Sequence, residues 1–253
     1  MQVEGAVAMV FGGASGLGEA AARRLAAAGA EVFVADLAVE RAEALAAEIG
    51  GTALAADVTD PASVEDAVAR AVAAGNGLRV MVNCAGIGTP GKLLGRGGPE
   101  PLESFAKVIA VNLIGTINCL RVAAGAMVEN EPDQGGERGV CINTASVAAY
   151  EGQIGQVAYA ASKGGVVGLT LPVARELAGR GVRVMAIAPG LFDTPMMAGL
   201  PEGARQSLGG TVPFPNRLGD PAEYGLLVEQ IVANPMLNGE TIRLDGALRM
   251  APR

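Results

Sequence analysis

Residues 6–18 read AVAMVFGGASGLG and decide the fold class of this 253-residue chain. The apolar run Ala6–Phe11 predicts a buried strand, and the Ala-rich pattern that begins at Gly16 predicts a helix. Between them lies a turn with the spacing Gly-x-x-x-Gly-x-Gly, formed by Gly12, Gly16 and Gly18. Such glycines let the backbone approach a pyrophosphate, and the free amides at the helix start favour an anion. A glycine-rich turn alone can be purely structural, so the flanking strand and helix carry the interpretation.

The same alternation of short apolar runs and helical patterns continues along the chain. Further strands are predicted at 31–36, 52–56, 79–83, 140–143, 182–188 and 240–244. Helices are predicted at 16–28, 39–49, 60–74, 102–128 and 223–233. One further helix follows the strand at 140–143 and is predicted to run to about residue 178. This rhythm predicts an α/β fold: a single Rossmann-like, doubly wound parallel sheet of about seven strands with helices on both faces. Residues 1–253 are expected to form one domain.

Two segments interrupt this rhythm. Residues 84–101 are rich in Gly and Pro and are predicted to be a loop near the ends of the strands. Residues 189–219 are predicted to combine loop with short helix. Irregular segments of that length are usually lids or binding segments, so we expect this one to cover the substrate.

Composition excludes several classes of function. The chain contains no histidine, which rules out Ser-His and Cys-His triads and removes the commonest zinc ligand, and no metal site is predicted. Its formal charge of −7 argues against a nucleic-acid surface. The three cysteines (Cys84, Cys119 and Cys141) lack paired spacing and are expected to be reduced.

We find no apolar run of about 20 residues that would span a bilayer. The protein is expected to be cytoplasmic, or a processed organellar one, and to bind no membrane.

Acidic and small residues follow the predicted strands where a dinucleotide would lie. Asp36 ends the second strand, a position from which a carboxylate accepts hydrogen bonds from an adenosine ribose and repels a 2′-phosphate. No Lys or Arg accompanies it, so NAD is favoured over NADP. A loop or helix-capping carboxylate is the alternative. Asp57-Val58 ends the third strand beside the expected adenine position, and the small residues of 83–86 (NCAG) follow the fourth.

Residues 143–168 read NTASVAAYEGQIGQVAYAASKGGVVG and carry the candidate chemistry. Tyr159 and Lys163 are four residues apart, so a helix would place both on one face. A neighbouring ammonium favours phenolate and would lower the pKa of the phenol, which could then exchange protons with an alcohol or ketone. Ser146 precedes them. The pair alone could equally be an ordinary solvated helix face.

Taken together, these motifs resemble the short-chain dehydrogenase/reductase family over essentially the whole chain. The resemblance rests on the glycine turn, Asp36, Asp57-Val58, residues 83–86, Asn112, Ser146, Tyr159-x-x-x-Lys163 and Pro189-Gly190. Two departures are Cys84, where Asn is common, and Gly12-Gly13, where many members have Thr-Gly.

That resemblance implies a role for each matched residue. Tyr159 would be the general acid/base, and Ser146 would bind the substrate oxygen together with Tyr159. Lys163 would lower the pKa of Tyr159 and also hold the nicotinamide ribose. Asn112 would hold a water linked to Lys163. Outside this resemblance, Asn112 is a polar residue satisfied within a helix bundle. The implied NAD-binding residues are Gly12, Ser15, Gly16, Leu17, Gly18, Asp36, Asp57, Val58, Asn83, Cys84, Ala85, Gly86, Tyr159, Lys163, Pro189, Gly190, Phe192 and Thr194. For Phe192 and Thr194, loop packing and turn capping are the alternative.

Longer strings outside the universal motifs carry a narrower resemblance. Residues 130–140, 143–165, 212–224 and 234–250, with Cys84, are similar to the type 2 short-chain 3-hydroxyacyl-CoA dehydrogenases. This implies NAD-dependent oxidation of 3-hydroxyacyl-CoA, tolerance for other alcohols, and a homotetramer. Lys92, Arg96, Arg205 and Arg217 could meet CoA phosphates or be ordinary surface charges. Alternatives are a 3-oxoacyl reductase, a hydroxysteroid or alcohol dehydrogenase, or a non-catalytic dinucleotide-binding scaffold subunit.

Overall fold

The computed structural model describes residues 1–74, 77–198 and 201–252. Its main sheet has seven strands in the spatial order β3-β2-β1-β4-β7-β8-β9, and every neighbouring pair is parallel. These strands are β1 (Val7–Phe11), β2 (Glu31–Asp36), β3 (Thr52–Ala55), β4 (Leu78–Asn83), β7 (Gly139–Thr144), β8 (Val182–Pro189) and β9 (Thr241–Leu244). The predicted doubly wound α/β sheet is therefore confirmed.

Helices cover both faces of this sheet. They are α1 (Gly16–Ala27), α2 (Val39–Ile49), α3 (Pro61–Ala73), α4 (Leu102–Ile109), α5 (Gly115–Met127), α6 (Val157–Ala178), α7 (Pro195–Ala198), α8 (Glu202–Gly209) and α9 (Pro221–Ala233). Two of the starts follow from cap chemistry. Asp60 and Asp220 each accept a hydrogen bond from an amide in the first helical turn, and each is followed by a proline at the first helical position.

Strand β1 lies at the centre of the core and is buried on both faces. Ala8 and Val10 pack in a cluster that contains Leu25 of α1 and Val228 of α9. Met9 points to the opposite face and packs in a second cluster, which also contains buried residues of helices α3 and α5. Burial on both faces explains why the strand is a continuous apolar run rather than an alternating pattern.

The helix predicted over 102–128 is not one regular α-helix. Helix α4 passes into a π-helical segment, Ala110–Ile114, before α5 begins, and Asn112 lies at the centre of that segment. The Asn112 side chain is hydrogen-bonded to both the amide and the carbonyl of Ile87, so a distant loop fixes this turn. Interruptions of this kind are frequent at functional sites.

The segment predicted as a loop over 84–101 contains a small antiparallel hairpin. Its strands are β5 (Leu94–Gly95) and β6 (Gly98–Pro99). A hydrogen bond of 2.7 Å from the amide of Gly91 to the carbonyl of Gly155 ties this segment to the loop before α6. The two connections therefore form one rim at the same edge of the sheet.

Two helical stretches, Leu102–Met127 and Val157–Ala178, are long and apolar enough to span a membrane by length and composition. The expectation that no such run exists is therefore wrong for these stretches. Both pack against the sheet, and they bury the polar side chains of Asn112, Ser162 and Lys163. Across an apolar window of 18 residues in each stretch, half of the first and a third of the second are buried inside the protein.

Candidate active site

The sequence-predicted site residues gather along the edge of the sheet where the parallel strands end. Strand β1 lies between β2, which follows it in the chain, and β4, which comes after a return across the sheet. This reversal of strand order opens a crevice outside the strand ends, which is the usual ligand position in open α/β sheets. The candidate residues end or follow β1, β2, β4 and β7 and therefore lie at this edge of the sheet.

The glycine-rich turn after β1 requires its glycines. Gly12 has a φ of 67°, and a Cβ there would lie 2.5 Å from the amide nitrogen of Ala85. A Cβ on Gly18 would overlap the carbonyl oxygen of Gly12, which would push α1 away from β1. Ser15 is the N-cap residue of α1 and makes no side-chain cap hydrogen bond. The turn therefore presents backbone amides and a hydroxyl at a helix N-terminus, where an anion is stabilised.

Asp36 lies at the end of β2 and is bonded to this turn. Its Oδ2 accepts a hydrogen bond of 3.0 Å from the amide of Ala14, and its Oδ1 accepts one of 2.9 Å from the amide of Ala38. The side chain is half-buried, and each carboxylate oxygen keeps a further lone pair. Asp36 therefore has the structural role that we considered as its alternative, and it can also accept hydrogen bonds from a ligand in the crevice.

Residues at the end of β3 form the outer wall of the crevice. The Asp57 carboxylate accepts hydrogen bonds from the amide and the hydroxyl of Thr59, at 2.8 and 2.7 Å. Val58 is buried against Gly115, where a Cβ would lie 2.7 Å from its Cγ2, and its carbonyl accepts from Asn118. Both predicted residues are at the expected edge, and the protein itself engages one carboxylate oxygen of Asp57 and the side chain of Val58.

Ser146, Tyr159 and Lys163 are brought together by the end of β7 and the start of α6. The Ser146 hydroxyl lies close enough to the Tyr159 phenol to lower its pKa against the effect of burial. The Lys163 ammonium is 5.9 Å from the centre of the Tyr159 ring and donates a 2.7 Å hydrogen bond to the carbonyl of Thr144. A Cβ on Gly86 would lie 3.6 Å from Lys163 Nζ, so the segment after β4 passes directly over this group.

The pKa values of this pair differ from the prediction. Burial lowers the pKa of Lys163 to about 8 and raises the pKa of Tyr159, where the Ser146 hydroxyl opposes the effect of burial. The predicted lowering of the Tyr159 pKa by Lys163 is therefore wrong for the protein alone. Desolvation of the phenol outweighs an ammonium that is 5.9 Å from the ring.

Asn112 joins the π-helical segment to the catalytic helix. Its Oδ1 accepts from the Ile87 amide at 2.8 Å, and its Nδ2 donates to the Ile87 carbonyl and to Ser162 Oγ. Both amide protons are thus used within the protein. The water-holding role stays a prediction, and it would depend on the oxygen atoms of Asn112.

Two residues in this region were missed by sequence reasoning. Tyr224 of α9 and Thr144 of β7 share a 2.8 Å hydrogen bond between their hydroxyl groups, and Cys84 Sγ lies within 3.5 Å of both. Tyr224 comes from a helix 80 positions beyond Thr144, so no local motif marks this contact. The three cysteines are free thiols, as predicted, and burial raises the pKa of each.

The segment after β8 meets the glycine turn. Thr194 lies beside Gly16, where a Cβ would be 3.4 Å from the Thr194 side chain, so this predicted cofactor residue is adjacent to the turn. Phe192 is 7% exposed and packs in the core against Gly219, which agrees with the packing alternative for its side chain. Gly190 donates to the Leu244 carbonyl and thereby connects Pro189-Gly190 to β9.

The basic residues considered for CoA phosphates are dispersed. Lys92 and Arg96 are exposed on the segment that contains the β5–β6 hairpin. Arg205 and Arg217 line a surface groove of about 1020 Å³ between α8 and the start of α9, where they pair with Asp193 and Glu223. The charge of these two arginines is thus balanced within the groove itself.

Comparison with known proteins identifies the family. Residues 6–205 match the family model of the short chain dehydrogenases. The chain belongs to the short-chain dehydrogenase/reductase family, which confirms the resemblance inferred from the motifs. It is therefore an oxidoreductase by class, and the non-catalytic alternative has no support from its site residues.

Within this family, the chain is similar over its full length to enzymes with more than one named activity. The chain is 55% identical to 3-hydroxyacyl-CoA dehydrogenase type-2 of Homo sapiens, over 99% of this chain and 97% of the relative. A crystal structure of 3-hydroxyacyl-CoA dehydrogenase type-2 from Mycobacterium avium is similar with a TM-score of 0.96 and 45% identity, covering 100% of this chain and 99% of that one. A 3-ketoacyl-(acyl-carrier-protein) reductase from Brucella melitensis, complexed with NADH, has a TM-score of 0.87 and 30% identity, covering 98% and 100%.

Proposed function

We propose that the protein is an NAD-dependent oxidoreductase that interconverts 3-hydroxyacyl-CoA and 3-oxoacyl-CoA. The observation that carries the reaction class is the grouping of Ser146, Tyr159 and the buried ammonium of Lys163 at the crevice next to the glycine turn. The substrate class is supported by similarity to enzymes named for that substrate over the whole chain.

The cofactor choice is supported by the residues of the crevice. The glycine turn leaves backbone amides for a pyrophosphate, and Asp36 offers a carboxylate where an adenosine ribose would lie. The positions after it are Leu37 and Ala38, so no cation stands there to receive a 2′-phosphate. Bound NAD would supply the hydride acceptor, and NADH the hydride donor.

The protein's own groups would manage the proton and the charge. Ser146 would donate a hydrogen bond to the substrate oxygen and stabilise the charge that develops there. Tyr159 would give its proton to a ketone oxygen or take one from an alcohol. Because burial raises the pKa of Tyr159, the phenol starts neutral, which suits donation. Lys163, buried and cationic, would stabilise the phenolate that donation leaves. Asn112 would hold a water that connects Lys163 to solvent.

Turnover assays test the substrate and the role of Tyr159 separately. Acetoacetyl-CoA, a 3-oxoacyl-(acyl-carrier-protein) and a 3-ketosteroid are compared by the loss of NADH absorbance, and acetoacetyl-CoA is expected to give the highest kcat/KM. Tyr159→Phe should lower kcat by about 10²–10⁴-fold, with NADH affinity nearly unchanged. Tyr150→Phe is the matched control, because Tyr150 is 48% exposed and contacts Arg243 instead.

Each assay has an outcome that contradicts the proposal. Faster turnover of the carrier-protein substrate would favour a 3-oxoacyl reductase, a second candidate that the similarity to the Brucella melitensis enzyme supports. Faster turnover of the steroid would favour a hydroxysteroid dehydrogenase. Retention of more than a few per cent of kcat by Tyr159→Phe would remove that residue from its proposed role.

A homotetramer is the proposed assembly. Helices α5 and α6 and the π-helical segment expose large apolar side chains, namely Ile114, Ile117, Val157 and Leu171, each between 42% and 54% exposed. The π-helical segment contacts both α5 and α6, and exposed apolar side chains on such neighbouring elements are typical of an interface. Light scattering on the purified protein tests this, and a monomeric mass at micromolar concentration would contradict it.

A further inference from the structure

A group of hydrogen-bonding side chains that the proposed mechanism does not use lies next to Lys163. Tyr224 is fully buried at 0% exposure, and its hydroxyl is 2.8 Å from Thr144 Oγ1. Thr144 Oγ1 also donates a 2.6 Å hydrogen bond to the carbonyl of Asn83. Cys84 Sγ is 3.5 Å from the Tyr224 hydroxyl and 3.4 Å from Thr144 Oγ1.

The direction of these hydrogen bonds follows from counting protons. The carbonyl of Asn83 can only accept, so the single proton of the Thr144 hydroxyl is used in the short bond to that carbonyl. Tyr224 must then donate its proton to Thr144 Oγ1. The oxygen of Tyr224 is left as an acceptor for the Cys84 thiol. The chain of donors therefore runs from Cys84 to Tyr224, then to Thr144, and ends on Asn83.

Thr144 connects this chain to the catalytic lysine. Its side chain holds the end of β7 to the end of β4, while its own carbonyl accepts the 2.7 Å hydrogen bond from Lys163 Nζ. Among the described residues, that carbonyl is the hydrogen-bond acceptor that the structure gives to this ammonium. The main chain also continues from Thr144 through Ala145 to Ser146. A shift of Thr144 would therefore move both the support of Lys163 and the nearby Ser146.

We propose that Thr144 and Tyr224 are positioning residues: the Tyr224 phenol holds the Thr144 hydroxyl, and Thr144 thereby holds the carbonyl that supports the Lys163 ammonium. The consequence for turnover rests on the proposed function, whereas the effect on Lys163 itself does not. Tyr224 acts through Thr144 and touches no reacting atom.

The charge environment makes Lys163 a sensitive reporter of this arrangement. The titratable groups that face it are Tyr159 from α6, Cys84 from the end of β4, and Tyr224 from α9, which adjoins Cys84. Burial already lowers the pKa of Lys163 to about 8. A carbonyl that no longer holds its place would solvate the ammonium less well, and the pKa of Lys163 would fall further.

The test measures the pKa of Lys163 directly. The chain contains three lysines, Lys92, Lys107 and Lys163, and the first two are exposed, so the Cε resonances of ¹³C-labelled lysine can be titrated individually by NMR. Thr144→Val should lower the pKa of Lys163 by about half a unit or more, and Tyr224→Phe should lower it by a smaller amount in the same direction. Thr144→Ser keeps the hydroxyl and should restore the original value.

Kinetics on the same variants gives the functional readout. Thr144→Val is expected to lower kcat about five- to tenfold, the size expected for the loss of one buried hydrogen bond, with KM for NADH within about threefold. Thr144→Ser should restore kcat as well as the pKa.

The proposal is overturned if the pKa of Lys163 is unchanged in both Thr144→Val and Tyr224→Phe. It is also overturned if these variants lose thermal stability and activity together while the NMR titration of Lys163 stays as in the unaltered protein, because that result describes packing alone. The failure of the proposed function has a different signature: no turnover of acetoacetyl-CoA by the unaltered protein, which leaves the NMR result standing.

Discussion

Replacing Asp36 with asparagine should weaken NAD binding without affecting the chemical step. The carboxylate accepts from the amide of Ala14 through one oxygen and from the amide of Ala38 through the other. Asparagine keeps the shape of the side chain but offers one acceptor and one donor. Asp36→Asn therefore loses one loop hydrogen bond, loses an acceptor for the ribose and loses the negative charge.

The expected size follows from these contacts. A hydrogen bond to a charged group contributes about 1.5–3 kcal/mol, so the loss of one ribose contact corresponds to roughly a 10- to 150-fold increase in Kd for NAD. Removal of the negative charge also removes the repulsion of a 2′-phosphate. The ratio of kcat/KM for NAD to that for NADP should therefore fall by at least about tenfold.

The assay is steady-state oxidation of saturating 3-hydroxybutyryl-CoA with NAD or with NADP, together with the fluorescence titration of NADH. The kcat with saturating NAD should stay within about threefold, because Asp36 is on β2 and touches none of the catalytic side chains. Asp66→Asn, an exposed carboxylate on α3, is the matched control. A KM for NAD within twofold of the original, with an unchanged cofactor ratio, would refute the ribose role of Asp36.

Three further outcomes are expected. Gly18→Ala should abolish NADH binding, measured by fluorescence, because its Cβ would overlap the Gly12 carbonyl; retained affinity would show that the turn can adjust. Lys163→Met should abolish activity yet raise the free energy of unfolding at pH 7 by roughly 3 kcal/mol. Burial lowers the lysine pKa from 10.5 to about 8, so it penalises the ammonium in the folded state while both folded and unfolded states are protonated. That gain should shrink as the pH rises from 8 towards 10.5, where the folded protein loses the proton first, and a melting-temperature difference independent of pH would contradict it. Alcohol oxidation should accelerate with rising pH, because burial raises the pKa of the Tyr159 phenol and the base form is needed; a pH-independent kcat, with the chemical step shown to be rate-limiting, would argue against Tyr159 as the base.

The parts of the fold that local pattern specifies could be predicted from the sequence. Strand β1 is a continuous apolar run because both its faces are buried, and the cap-then-proline start of α3 follows from Asp60. The π-helical segment could not be predicted. It depends on the hydrogen bonds between Asn112 and Ile87, which lie 25 positions apart and carry no periodic signal.

The candidate site likewise has a part that could be predicted from the sequence and a part that could not. Tyr159, Lys163 and Ser146 were found because their spacing on a helix and strand end is a local property. Their protonation was predicted less well, since burial of the phenol is decided by the packing of α6 and cannot be seen in spacing. Tyr224 was missed for a related reason: its hydroxyl reaches Thr144 only because the fold brings the start of α9 to the end of β7.

The order of the strands separates cofactor choice from chemistry, which matters for protein engineering. Asp36 ends β2 and Thr144 ends β7, and the strands β1 and β4 lie between them. At about 4.8 Å per strand, these ends are roughly 14 Å apart, beyond the distance at which substitutions usually couple. Changes at the β2 end and at the β7 end should therefore combine additively in free energy. A designer could exchange the preferred dinucleotide and retune the substrate separately, one half of the sheet at a time.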